Sequence, residues 1–410
     1  MSGRTYVTSE VKDKSSTMRK SKKRRNYKLP KYKQYKYIYS KILDKSLIRK
    51  AFMKMRKGKR KKKEIQRIEQ NFDYYIDFVY DMLLNTRPNA EHPERAFSPK
   101  QHEPITIVEH GKERKIYIPS ILEQWIHHII MQVLSPILIK MFHPDSYGSI
   151  PDKGLHKAKK HVVKYRKKYK YGFKMDIRHF FANIRLNKLE EILKKFIADD
   201  WFVNLIMICF KWYKKGLPLG FYLSQWMSNV YLNEVDYLIV KHKDVKFIRY
   251  VDDVMIFGNN KKKVRQIFDK IKQHIGKLRL TVKGNYHLSV LSKEPINFLG
   301  FVFAGDTIRL RKSIISKIKK VVSSIFKALK NGRTIWKKLI RSFMSYNGWL
   351  KCSNSHKWSE LYIDRKIIIK NCKTILLTEQ VVLKVCFLTQ CSQFQLSRAW
   401  NLAQDLLAQI

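Results

Sequence analysis

The chain has 410 residues and carries 85 lysines and arginines against 33 aspartates and glutamates, a formal net charge of +52 at pH 7. A solvated domain typically carries a net charge of about 2–8 in magnitude, so an excess of this size calls for a polyanionic partner, nucleic acid before an acidic membrane surface. With 44% hydrophobic and 13% aromatic residues the chain can bury a sizeable core, which excludes general disorder.

A membrane-spanning helix needs about 20 mainly apolar residues, and the longest clean run here, 202–210, is too short. Five dispersed cysteines, Cys209, Cys352, Cys372, Cys386 and Cys391, lack metal-ligand spacing and fit a reducing cytosol. Cys352 and His356 are a lone pair of potential ligands, and a structural zinc site wants four.

Residues 1–63 are dominated by Lys and Arg, with tyrosines interleaved from Tyr27 to Tyr39, a composition that lets bases stack while lysines meet phosphates. The alternative for this segment is a solubilising arm. Helical spacing of apolar residues follows over 64–85, two short strands over 104–119 joined at His110-Gly111, and an apolar helix over 120–142. A strand is predicted over 172–177, a long helical block over 186–214, a turn at Gly216-Leu217-Pro218, and a helix over 224–240. Strands over 246–250 and 254–257 flank Val251-Asp252-Asp253. A helix over 261–278, strands over 280–290 and 296–304, and basic amphipathic helices to about 350 complete the pattern before a nearly uncharged apolar tail.

Asp-Asp occurs twice, which supplies an internal control. Asp199-Asp200 follows a Lys-rich helical block and reads as a loop and a helix cap. Asp252-Asp253 sits at the tip of an otherwise apolar hairpin, where two carboxylates are costly unless a cation neutralises them. Asp176 ends another buried strand, just before Phe180-Phe181, and is the candidate third acid. Asp176 with Asp252 would suit two magnesium ions about 3.5–4 Å apart, an oxygen-ligand arrangement suited to phosphate chemistry.

Asp176-x-x-x-Phe180-Phe181, Leu217-Pro218-Leu219-Gly220-x-x-x-Ser224-Gln225 and Tyr250-Val251-Asp252-Asp253 resemble successive palm motifs of reverse transcriptases. The run from Ser146 to His156 resembles the fingers motif, Asn297-Phe298-Leu299-Gly300 the primer grip, and the stretch from Leu310-Arg311-Lys312-Ser313 to Trp349 the thumb. The resemblance implies an α+β right-hand polymerase fold with fingers, a palm of antiparallel sheet plus helices, and a helical thumb. It divides the chain into a basic RNA-binding extension (1–63), fingers and palm (64–307), thumb (308–362) and an apolar tail (363–410) that docks a partner or packs on the thumb.

By the same resemblance Asp176, Asp252, Asp253 and the carbonyl of Ile177 hold two Mg2+ ions, with Mn2+ as the substitute. Phe181 excludes a ribose 2′-hydroxyl, and Leu219 and Gly220 lie against the incoming nucleotide. Arg114 and Lys115 hold the triphosphate, with Lys153 compensating where Glu123-Gln124 replaces the usual Asp-Arg. Lys283 either meets the leaving pyrophosphate or is a solvated charge. Ser224, Gln225, Tyr250, Phe298, Leu299, Gly300, Arg311 and Lys312 are expected along template and primer.

The form Leu219-Gly220-x-x-x-Ser224-Gln225 resembles the reverse transcriptases of diversity-generating retroelements, which copy a template-repeat RNA with errors at adenines. Partners implied are a noncoding template RNA, an RNA–DNA primer–template, dNTPs and an accessory protein or second subunit, with no membrane, in a cytoplasm of bacterial or phage-encoded context. Related antiphage-defence enzymes that copy a structured noncoding RNA are the alternative, and a non-catalytic maturase-like RNA-binding protein is the alternative of another class.

Overall fold

The computed structural model describes residues 34–109, 112–213, 215–330 and 337–354. Four helices lead: α1 (Tyr39–Ile42), α2 (Lys45–Met55), α3 (Lys63–Gln70) and α4 (Phe72–Asn85). Asp44 opens α2 by accepting from the Ser46 amide. Ile48, Ala51, Phe52 and Met55 then form its buried stripe at helical spacing. That stripe lies on α5 (Ile121–Met141), which is apolar nearly all round and starts with a Ser120/Glu123 capping box. The Trp125 indole donates to the Ile48 carbonyl at 2.9 Å, and its ring centroid is 4.8 Å from that of Phe52.

The expected break at residue 63 is therefore not a break in the core, because α1 and α2 share the hydrophobic cluster of α5. Their basic residues masked the apolar stripe in a composition-based reading. Residues 1–33 of the expected extension, and the tail 363–410, lie outside the described residues.

The hairpin β1 (Ile105–Glu109) and β2 (Lys112–Ile116) pairs in antiparallel register, as expected; its tip, His110-Gly111, lies outside the described residues. After α5 comes a basic helix with no sequence counterpart above, α6 (Leu155–Lys168), followed by β3 (Tyr171–Asp176) and the one-turn α7 (Phe180–Asn183). The predicted helical block over 186–214 is split into α8 (Leu186–Lys194) and α9 (Asp200–Ile208). Asp199 causes the split, accepting from the amides of Phe202, Ile38 and Tyr39, so this Asp-Asp pair is the cap that the sequence suggested.

The helix expected over 224–240 is likewise two, α10 (Tyr222–Tyr231) and α11 (Asn233–Val240), separated at Leu232. Then follow β4 (Lys246–Tyr250), β5 (Asp253–Gly258), α12 (Lys261–Lys277) and β6 (His287–Val290). Only the end of the strand expected over 280–290 is regular, although Val282 bridges Ile177. The strand expected over 296–304 is a hairpin, β7 (Ile296–Phe298) and β8 (Phe301–Ala304), extended by β9 (Thr307–Leu310). Leu299 (φ +53°) and Gly300 (φ +82°) make its turn, and a Cβ on Gly300 would meet the Trp349 ring at 2.8 Å. Helices α13 (Lys312–Lys330) and α14 (Lys337–Lys351) close the described chain.

The central sheet has order β4-β5-β3-β6, antiparallel throughout. Alternation along β3 sends Phe173 and Met175 to one face and Lys174 and Asp176 to the other. Phe173 stacks on Phe268 of α12 with centroids 4.2 Å apart, so α12 covers the face opposite Asp176. A second core joins the other face to α6, β7–β9, α13 and α14. No helix among the described residues is long and apolar enough to cross a membrane.

Candidate active site

Pairing of β3 with β5 sets Asp176 directly opposite Asp253, on one face of the sheet. Asp252 lies beside them in the turn that joins β4 and β5. Val251 takes a left-handed φ of +58°, a strained position for a β-branched residue. The turn is held from below. A Cβ on Gly148 would lie 2.5 Å from Val251 Cγ2 and 2.7 Å from Val251 N, so only glycine lets the fingers-motif segment pass there.

A buried ion pair fixes the same turn. Arg249 and Asp236 have fully buried side chains, and the guanidinium donates to both carboxylate oxygens at 2.7 Å. It also donates to Asn229 Oδ1 at 2.8 Å, to Ser146 Oγ at 3.2 Å and to the Val251 carbonyl at 3.1 Å. Asn229 in turn donates to the Gly148 carbonyl at 2.9 Å. Of these four side chains only Ser146 falls within a motif named from the sequence; Arg249, Asp236 and Asn229 were not singled out. The signal was there: an arginine inside Phe247-Ile248-Arg249-Tyr250 must find a buried acid.

Charge around the carboxylates is partly balanced. Lys283 donates to Asp176 Oδ2 through its ammonium, and its amide donates to the Asp176 carbonyl at 2.8 Å. Asp176 Oδ1 is buried with no hydrogen-bond partner. Burial, and then the nearby Asp253 and Asp176, push the Asp252 carboxyl up to about 7; burial also raises Asp253. An unpartnered carboxylate oxygen beside two acids reluctant to ionise is a donor set of hard oxygens, fitted to a divalent cation. Among the described residues no three such side chains form a metal-ligand cluster, and Asp176 is paired with Lys283.

The Asp252 shift has a testable sign. Its folded-state pKa lies above the ordinary carboxylate value of about 4, so the metal-free fold keeps a proton that the unfolded chain releases. Stability should fall as pH rises from about 4 to about 7. In chelator, Tm is expected to drop across that window, and Asp252→Asn should flatten the drop. An unchanged slope in the variant would remove Asp252 as its source.

The other expected site residues divide. Arg311 donates to Asn297 Oδ1 at 2.9 Å and Lys174 to the Asn297 carbonyl at 2.9 Å, and both cations act on Asp253, so the β7 strand and the residue before α13 come near the carboxylates. Lys312 is exposed at the start of α13, Phe298 is fully buried, and Tyr250 is half-buried before the turn. Phe181 follows Asp176 on α7, and its carbonyl accepts from Leu217 at 2.8 Å. The Leu219 carbonyl accepts from the Tyr117 amide at 2.7 Å, and a Cβ on Gly220 (φ +106°) would collide with the Tyr117 carbonyl. Ser224 is buried and Gln225 exposed at the start of α10.

Arg114 and Lys115 stand exposed on β2. Lys153 is placed differently from expectation: its ammonium donates to the carbonyls of His143 and Pro144, and burial lowers it to about 8. At Gln124, positive charge returns from another segment, since Lys59 donates to its side-chain oxygen. Cys352 pairs with His156 at 3.0 Å rather than with His356, which lies outside the described residues.

The family model of reverse transcriptases (RNA-dependent DNA polymerases) matches residues 99–303, half of the chain, and the chain belongs to that family. Its fold is accordingly the right-hand polymerase fold. The chain is 23% identical to Protein YkfC of Escherichia coli K12 over 299 residues, covering 61% of this chain and 75% of that protein. It is 27% identical to the Gag-Pro-Pol polyprotein of Mason-Pfizer monkey virus, over 38% of this chain and only 8% of the polyprotein. It is also 27% identical to an uncharacterized 91 kDa protein in the cob intron of Schizosaccharomyces pombe, over 32% of this chain and 17% of the relative. Apo telomerase from Candida tropicalis aligns with TM-score 0.41 at 12% identity, over 77% of this chain and 70% of that one.

Proposed function

We propose that this reverse transcriptase copies a dedicated noncoding RNA into DNA by two-metal nucleotidyl transfer at Asp176, Asp252 and Asp253, in the manner of diversity-generating retroelements. The observation that carries the chemistry is the direct opposition of Asp176 and Asp253 across β3 and β5, with Asp252, whose carboxyl burial pushes up, beside them. Two magnesium ions, with manganese as substitute, would supply activation of the primer 3′-hydroxyl and charge for the leaving pyrophosphate.

The protein's own groups do the rest of the work. Lys283, whose ammonium donates to Asp176, meets the departing anion in this reading. Phe181 crowds the sugar, Gly220 permits close approach of the nucleotide, and Leu219 offers no side-chain amide to it. Arg114 and Lys115 on the fingers hairpin attract the triphosphate, while Arg311 and Lys312 steady the primer. The division into fingers and palm (64–307, sharing their core with α1 and α2), thumb (308–362) and a partner-docking tail (363–410) belongs to this reading, as does an accessory protein or second subunit. What favours template-repeat copying is the third-motif form Leu219-Gly220-x-x-x-Ser224-Gln225.

The test is primer extension on RNA with dNTPs and magnesium, using Asp252→Asn as control, together with sequencing of the copurifying RNA and the DNA made from it. Synthesis by wild type alone is expected, with copies scattered at template adenines. Equal synthesis by both proteins would sink the assigned site. A fixed or repetitive copy of a structured RNA would return the enzyme to antiphage defence.

A further inference from the structure

The face of the palm that turns away from the carboxylates is itself strongly cationic. Helix α12 buries Val264, Ile267, Phe268, Ile271 and Ile275 against the sheet. Its outer side and the following turn expose Lys261, Lys262, Arg265, Lys270, Lys277 and Arg279, with Asp269 as the exposed acid among them. Among the described residues none of those six cations ion-pairs with an acid, unlike Lys263, which meets Asp244 at 2.7 Å. Two cavities mark the ends of this stripe. One of about 320 Å³ is lined by Lys262, Lys263, Lys270 and His242 among others. The other, of about 490 Å³, is lined by Arg185, Lys188, Lys277 and Arg279 with Asn187 and Glu191. At 1.5 Å per residue, Lys262 and Lys277 are about 22 Å apart along the helix.

We infer that the outer face of α12, with its two end cavities, binds the phosphate backbone of a segment of the template RNA that is not being copied. The inference rests on the polymerase reading of the cleft, and it gives part of the +52 charge a task that the cleft cannot use, because α12 lies on the opposite face of the sheet from Asp176. A membrane surface fits less well. A helix that lies in a bilayer must present an apolar side to it, and every apolar residue named above is already spent on the core. RNA needs only cations spaced along a ridge, and one end of the same molecule is already held in the cleft. Binding of the remainder is then intramolecular, so modest contacts suffice.

The experiment compares the full chain with a variant carrying Lys262→Gln, Arg265→Gln, Lys270→Gln, Lys277→Gln and Arg279→Gln. Two substrates are used: a primed RNA template too short to leave the cleft, and the same template extended by an RNA hairpin. Wild type should bind the extended substrate more tightly and with a steeper salt dependence. In the variant that gain should shrink by about tenfold or more, and the log–log salt slope should fall by about 3–5, one unit for each lost phosphate contact. Extension of the short substrate should be unchanged. Full retention of the gain, or an equal loss on both substrates, would overturn the inference. Loss of binding to phosphatidylserine vesicles with the RNA gain intact would assign the face to a membrane and also overturn it. Failure of wild type to extend the short substrate at all would instead overturn the polymerase reading.

Discussion

Replacing Arg249 with methionine is expected to destabilise the fold by about 3–5 kcal/mol, because it leaves the Asp236 carboxylate buried without its partner. Both side chains are inaccessible to solvent, and the two bonds between them are 2.7 Å each. Domains are typically stable by about 5–15 kcal/mol, so a loss of this size should lower the denaturation midpoint conspicuously. A second substitution separates stability from chemistry. Arg249→Met with Asp236→Leu removes both charges, and isosteric apolar replacement of a buried pair is often close to neutral. The double variant should therefore regain most of the lost stability.

It should not regain rate. Arg249 also donates to the Val251 carbonyl and to Asn229, and Asn229 holds Gly148 beneath the turn. Without those tethers the strained residue before Asp252 is free to relax, and single-turnover incorporation should stay depressed while primer–template affinity is kept. A stable double variant with the wild-type single-turnover rate would show that the ion pair serves packing alone.

The carboxylates were legible in the sequence because each breaks a local rule. Asp252 and Asp253 interrupt an apolar hairpin and Asp176 ends an apolar strand, and such violations gather at functional sites. The same reasoning separated Asp199, whose oxygens bind amides of α9, α1 and the residue before α1. Less legible was anything that depends on distant contacts. Ile48 and Phe52 read as part of a basic arm until Trp125, more than seventy residues on, is placed against them. Likewise Lys153 looked available for a triphosphate, yet two carbonyls of its own loop claim its ammonium. In a chain this rich in lysine, the side chain alone does not distinguish a ligand from a brace. A helix over 261–278 was visible in the sequence, but which sheet face α12 covers is a matter of register, fixed only by the alternation of Phe173 and Asp176.

Gly148→Ala should cost about 10²-fold in turnover, with little change in the affinity for primer–template, since misplacing a reacting group by about 1 Å has that order of effect. The added methyl carbon would sit 2.5 Å from Val251 Cγ2, 2.7 Å from Val251 N and 3.2 Å from the Tyr250 carbonyl carbon. Two of these three neighbours are backbone, so no rotamer change clears the clash. Nor can the glycine segment retreat: Asn229 holds its carbonyl, and Tyr147 donates its amide to the Arg249 carbonyl at 2.9 Å. The turn must yield, and with it Asp252. Backbone conformation is not at issue, because Gly148 is absent from the positive-φ positions that alanine would resist. Val251→Gly added to Gly148→Ala removes one of the clashing atoms and relieves the strained φ of +58°, and should restore part of the turnover. Gly276→Ala is the matching control, since nothing lies within 4 Å of where its methyl would stand and it is near the end of a helix on the far side of the sheet. It should leave turnover unchanged and raise stability by about 0.5–1 kcal/mol. If Gly148→Ala turns over as wild type does, the segment around Gly148 is not what positions the turn that carries Asp252.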